Sequence, residues 1–262
     1  MSYYTIKKYL GYQLFSSHRR GHGIHSPFVF DLIDKVFRNK TAPSVVLDIE
    51  KIRKKLIRDN RVISVKDLGS GSDRMKGNLR MISDIARFSS LPAKYGRLLT
   101  RFAGEFGDAG ILELGTSLGI STMYLAAGQK ECKVHTIEGC PETLYVAREN
   151  FNCCGFSGIK SLSGSFDEMI PQFMEEKITP GLVFIDGDHR KPSVIKYFEK
   201  IKQFSGENSV IILDDIHISS EMGEAWEHIK MDKNVSLTVD IYRFGIVFFR
   251  KGMTRTDYEI RY

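Results

Sequence analysis

The sequence predicts an α/β fold: a doubly wound, mostly parallel seven-stranded sheet ending in an antiparallel hairpin, with a helical extension at the N-terminus. Three observations point there. From residue 91 onward, short apolar runs alternate with helical patterns, as in a parallel sheet wound by crossover helices. One run, Ile111-Leu-Glu-Leu114, stops at Gly115-Thr-Ser-Leu-Gly119, and a helical pattern opens at Ile120. The last two runs, 235–242 and 245–250, are separated only by a tight connection at Arg243-Phe244, which suits a hairpin.

Taken in order, residues 3–15 read as an amphipathic helix rich in Tyr, Leu and Phe. A turn-rich stretch follows, with His18, His22 and His25; a surface loop, an anionic pocket and a metal site all remain open for it. Ser26-Pro27 supplies an N-cap and first helical position for a helix over 28–38. Residues 44–61 look helical and basic. The Gly/Ser stretch at 67–72 imitates the turn at 115–119, but a polar segment follows it, so a loop over the substrate is expected. Helices are expected over 79–89 and 91–102. Then come helix 141–152, strand 159–163, a helix from Ser165 to about 176, strand 181–186, helix 192–204, strand 209–213 and helix 219–231.

Hydrophobic content of 42% and charged content of 27% over 262 residues suit a globular chain with an ample core. No apolar run approaches membrane-spanning length, and the first residues lack a signal-peptide core. Cys132, Cys140, Cys153 and Cys154 have no metal-ligand spacing, and two are adjacent. Reduced thiols in the cytoplasm are therefore expected. The net charge of +6 is uneven, with 21 Lys+Arg against 8 Asp+Glu in residues 1–101. No aromatics interleave with the basic run 51–58, as base stacking would require. It reads as a solvated helical face, and nucleic acid is not the expected partner.

The turn after the first strand carries the chemistry. Its two glycines, four apart, let bare backbone approach a nucleotide-like ligand. A dinucleotide fingerprint would place a glycine at Ser117. Instead Glu113 stands at the mouth of the turn, where it repels phosphate and suits a cation. The next strand, 134–138, ends in Glu138, 19 residues beyond Gly119; a carboxylate there can hold both hydroxyls of a ribose. Further on, Asp186 ends the strand 181–186, and Asp214 and Asp215 end the strand 209–213. Strand carboxyl ends converge on the crevice of such a sheet. Three acids together call for a neutralising Mg²⁺, Mn²⁺ or Ca²⁺; the alternative is that one contacts the ligand while the others cap helices or bind water.

The Glu113-Leu-Gly115-Thr116-Ser117-Leu-Gly119 turn resembles motif I of the class I S-adenosylmethionine (SAM) methyltransferases, whose fold is Rossmann-like. With Thr136-Ile-Glu138, Ser163-Gly-Ser165-Phe166, Phe184-Ile-Asp186-Gly-Asp-His189 and Leu213-Asp214-Asp215, the chain from residue 91 resembles the metal-dependent catechol and caffeoyl-CoA O-methyltransferases, in an uncharacterised bacterial branch. The resemblance implies that Glu113, Gly115, Thr116, Ser117, Gly119 and Ser121 line the methionine part of SAM. Glu138 and Gly139 would bind the ribose, Ser165 and Phe166 would border the adenine, and Asp186 would lie beside the cofactor. Asp186, Asp214 and Asp215 would hold the divalent cation. Two departures stand out: Asp215 replaces the usual Asn, and His189 stands where catechol-type enzymes have a catalytic Lys.

The implied function is metal-assisted O-methylation of a small hydroxylated acceptor, with His189 removing the hydroxyl proton; His217 is the other candidate base. Residues 91–262 would form the methyltransferase domain. Residues 1–90 would form a helical cap that, with Tyr95, selects the acceptor, and whose removal should leave SAM binding intact. A homodimer is compatible with the chain. Two alternatives stay open: an RNA or protein acceptor, and a SAM-binding module without turnover.

Overall fold

The computed structural model describes residues 3–16, 26–40, 43–66, 69, 77–129 and 133–262. The chain begins with α1 (Tyr3–Phe15). Ser26 then accepts a hydrogen bond from the Val29 N–H, and Pro27 opens α2 (Pro27–Leu32), the cap expected of that dipeptide. Its continuation, Ile33–Phe37, loosens into a π-helical turn. Next come α3 (Val45–Leu56), the short strands β1 (Val62–Ser64) and β2 (Leu79–Met81), and α4 (Ile82–Phe88). β1 and β2 pair antiparallel, so residues 79–81 are not the first turn of a helix as expected; the extended backbone of 62–64 captures them. His18, His22, His25 and most of the 67–72 loop lie outside the described residues. Of that loop Gly69 is described, and it sits against the Asp188 backbone.

After α5 (Ala93–Phe106) the alternation expected from the sequence sets in: β3 (Ile111–Leu114), α6 (Ile120–Ala126), β4 (Val134–Glu138), α7 (Pro141–Cys153), β5 (Ile159–Ser163), α8 (Phe166–Glu175), β6 (Leu182–Ile185), α9 (Lys191–Lys202), β7 (Val210–Leu213) and α10 (Ser220–Lys230). The hairpin β8 (Leu237–Asp240) and β9 (Gly245–Phe248) follows, then β10 (Thr256–Glu259). The sheet has eight strands in the order β10-β8-β9-β7-β6-β3-β4-β5. The doubly wound fold is as expected. The eighth strand was not foreseen, because its alternating Thr-Asp-Tyr-Glu carries no apolar signal. β10 runs parallel to β8 at the edge.

β3, β6 and β7 are buried along their whole length. Phe184 and Ile212 face α2 and α5, while Val183, Ile185, Ile211 and Leu213 face α8, α9 and α10. This period-two alternation with both faces covered is what a doubly wound sheet requires. The chain leaves β3 for β4 and β5 on one side and returns to β6 on the other, so the order reverses between β3 and β6. In such a sheet the ligand crevice opens outside the strand carboxyl ends at that reversal.

The described residues of the N-terminal part share their apolar clusters with the rest of the chain. Val29, Ile33 and Val36 share one apolar cluster with Leu98, Phe102 and Phe184, and Ile49, Leu56 and Ile82 share another with Tyr124 and Phe151. Each fully buried aliphatic contributes about 1.5–3 kcal/mol. Removing residues 1–80 would therefore strip the sheet's covering layer rather than lift off a detachable cap.

Candidate functional site

Turn 115–119 is shaped by its neighbours. Gly115 has φ +102°, and a Cβ there would lie 1.9 Å from the Asp186 carbonyl oxygen. Gly119, at φ +81°, abuts the Phe151 ring. Both glycines are thus needed for packing within the chain, as a tightly folded turn requires. Ser117 also takes a left-handed conformation, φ 48°, which costs about 1–3 kcal/mol without a glycine. Its N–H donates to Glu138 Oε2 at 2.8 Å. A hydrogen bond to a charged group, worth about 1.5–3 kcal/mol, offsets that strain.

Glu138 closes β4, and its other oxygen, Oε1, accepts from the Cys140 N–H at 2.8 Å. The carboxylate thereby ties the turn after β3 to the turn after β4 through Gly139. Burial raises its pKa, while the backbone N–H groups around it oppose the rise. Each oxygen keeps lone-pair capacity, as a ribose diol requires.

Glu113 lies beneath the turn and is fully buried. Its Oε2 accepts from the Thr122 and Thr136 hydroxyls, while Oε1 has no partner among the described residues. Thr116 bonds Thr136 at 2.5 Å, so its hydroxyl belongs to the same buried network as Glu113. Burial lifts Glu113 to about 7, against the hydrogen bonds of Thr122 and Thr136 and the nearby Ser121 hydroxyl. A buried carboxylate with an orphaned oxygen is costly alone and favours a nearby cation. SAM, a sulfonium with an ammonium group, fits these two carboxylates.

On the far side of the crevice, Ser165 caps α8 in a reciprocal capping box with Glu168, so its hydroxyl is committed to the helix. The Phe166 ring packs against Gly187, where a Cβ would come within 2.8 Å of it.

The acids stand as the strand ends foretold. Ile185 pairs with Leu213 across β6 and β7, which makes Asp186 and Asp214 neighbours at the sheet edge. Burial, then the charge of Asp214, pushes Asp186 well above the usual carboxylate range, and the same causes raise Asp215 to about 7. The residue that compensates them escaped the sequence reading. Arg243, in the turn between β8 and β9, donates from Nε to Asp214 Oδ1 at 2.7 Å and from Nη2 to Asp214 Oδ2 at 2.6 Å. Nη2 also lies 3.5 Å from Asp215 Oδ1. Its guanidinium carbon sits 5.6 Å from the centre of the Tyr95 ring, which packs on Phe244 and Tyr262.

This arrangement does not fit the expected divalent cation. Such an ion needs carboxylate oxygens turned toward it, and both oxygens of Asp214 are held by Arg243. Among the described residues no group of three or more His, Cys, Asp or Glu could hold a metal ion. Of the three acids, Asp214 and Asp215 are ion-paired with Arg243, and Asp186 lies beside His189. A signal for Arg243 did exist: three acids at one edge demand a cation, and an antiparallel hairpin returns its turn to that edge.

His189 places Nε2 3.6 Å from Asp186 Oδ1. Burial lowers its pKa below the usual imidazole range, which favours the neutral form that can accept a proton. His217 instead bonds Asp240 on the hairpin, Nε2 to Oδ2 at 2.7 Å. Of the two histidines, His189 is the one beside the acid row.

Residues 112–216 match a family described as a methyltransferase domain. Two catechol O-methyltransferases are similar to the chain. That of Niastella koreensis is 32% identical over 130 residues, which are 48% of this chain and 58% of the relative. That of Mycobacterium tuberculosis is 29% identical over 129 residues, 48% of this chain and 57% of the relative. The chain thus spans less than two thirds of these relatives' length. Among solved structures, the S-adenosylhomocysteine (SAH)-bound Podospora anserina methyltransferase PaMTH1 superposes with a TM-score of 0.61 at 13% identity, covering 87% of this chain and 97% of that one. An O-methyltransferase from Bacillus cereus in complex with SAH gives 0.54 at 20% identity, covering 86% and 97%. Identities this low speak for the fold.

Proposed function

We propose, from the premise that the chain carries a class I SAM-dependent methyltransferase domain of the O-methyltransferase type, that it methylates a hydroxyl of a small acceptor. One observation carries the reading: Glu113 with its orphaned oxygen and Glu138 with its backbone-held carboxylate flank a glycine turn at the sheet's reversal point. SAM supplies an activated methyl group when bound. The chain's residues supply orientation and charge. Glu113 faces the cationic end, Glu138 grips the sugar, and Phe166 walls the base. His189, its neutral form favoured by burial, takes the acceptor's proton. The free thiols Cys140, Cys153 and Cys154 are in line with a reducing, cytoplasmic setting.

The test is SAH release from SAM over a panel of catechols, monohydroxylated aromatics and sugar-like diols. Acceptor-dependent SAH formation supports the proposal. SAM binding with no SAH formed across the panel overturns it in favour of a binding module.

A further inference from the structure

We propose that Arg243 holds the place of a divalent cation at the acid row, so that a guanidinium of the chain itself neutralises Asp214 and Asp215 and steadies the acceptor's oxygen. Three carboxylates at the ends of two adjacent strands cannot remain ionised together without a cation. Arg243 supplies one with the two-pronged geometry that suits a carboxylate. The hairpin fixes it there, because the Ile216 N–H donates to the Arg243 carbonyl at 3.2 Å and β9 pairs with β7 so that Gly245 faces Leu213. The Tyr95 ring borders its other side. A metal ion entering the row would have to detach both Asp214 oxygens from the guanidinium and then bear its charge at close range.

The consequence for the acceptor rests on the function proposed above. The Arg243 side chain is 23% exposed, and Nη1 makes no hydrogen bond among the described residues, which leaves donors for an oxygen in the crevice. As the acceptor O–H bond breaks, its proton passes to His189 and Arg243 holds the charge left on oxygen. The O–CH3 bond then forms while the S–CH3 bond breaks, its electron pair remaining on sulfur as SAH departs. The proton leaves His189 for solvent. A chelated metal favours vicinal diols, which offer two oxygens. A guanidinium makes no such demand, so the acceptor class extends to compounds with a single ionisable hydroxyl.

Mn²⁺ alone is the probe, titrated into the full chain and followed by its paramagnetic resonance, with SAM titrated separately into the same preparations. The wild type should bind Mn²⁺ no better than the Asp214→Asn variant. Arg243→Ala, which frees the carboxylates, should bind it at least roughly tenfold more tightly. Arg243→Lys keeps a charge at the position and guards against a variant that fails to fold; it should behave as the wild type. Tight Mn²⁺ binding by the wild type that Asp214→Asn abolishes overturns the proposal. So does a folded Arg243→Ala that gains no affinity. Neither outcome depends on whether SAM binds, so this inference and the methyltransferase reading fail separately.

Discussion

Replacing Glu113 by glutamine separates the charge of the buried carboxyl from its shape. In the free protein burial moves this group from 4.5 to about 7. A folded-state pKa above the unfolded one means that protonation favours the fold. The contribution is complete below the unfolded value and is lost as pH rises through about 7. For one site with these two values, linkage gives a loss of roughly 1.3 kcal/mol between pH 6 and pH 8. Glutamine does not titrate. The unfolding free energy of Glu113→Gln relative to wild type, measured in urea, should therefore move in the variant's favour by that amount between the two pH values, whatever the offset at either. SAM affinity should run the other way, because the cation needs the ionised form. The ionised fraction of the wild type climbs roughly eightfold between pH 6 and pH 7.5, and calorimetry should find wild-type affinity rising accordingly while the variant's pH profile stays flatter. Parallel pH profiles of both stability and affinity in the two proteins would refute the reasoning.

Three further outcomes follow from the geometry. Gly115→Ala meets the Asp186 carbonyl at 1.9 Å in a left-handed conformation, so it should cost more than ~3 kcal/mol in urea unfolding; a loss under ~1 kcal/mol would contradict the packing described. A chain lacking residues 1–80 should lose cooperative unfolding and SAM binding together, since Val29, Ile33 and Ile49 belong to shared cores; a folded, SAM-binding truncation would show a detachable cap after all. His189→Ala should lower kcat by about 10²–10⁴-fold, leave SAM affinity unchanged, and remove an acid limb of the rate profile lying below the ordinary imidazole range; an unchanged kcat would release His189 from its role.

β6 and β7 were legible because burial on both faces writes them as unbroken apolar runs, Leu182–Ile185 and Val210–Leu213, each followed by an acid, and β3 and β4 because a glycine turn and an acid mark where they stop. Glu138, Asp186 and Asp214 could be placed at strand ends, and Glu113 beside the last residue of its strand, from spacing alone. What spacing cannot convey is partnership across the fold. Arg243 meets Asp214 only because β9 lies antiparallel to β7 in one register, and that register is set by packing between segments about thirty residues apart in sequence. The hydrogen bond that joins the Thr116 hydroxyl to Thr136 is of the same kind, invisible to spacing. The paired strands at 62–64 and 79–81 were hidden for a similar reason, since each is too short to show a period of its own.

The measurement that bears most directly on the account is calorimetric titration of the full chain with SAM and with SAH, beside a Glu138→Ala variant. The account predicts saturable one-to-one binding of both ligands by the wild type, weakened at least roughly tenfold in the variant through loss of the charged grip on the ribose. A folded wild type that takes up neither ligand, or a Glu138→Ala variant that binds both as tightly as the wild type, would contradict it.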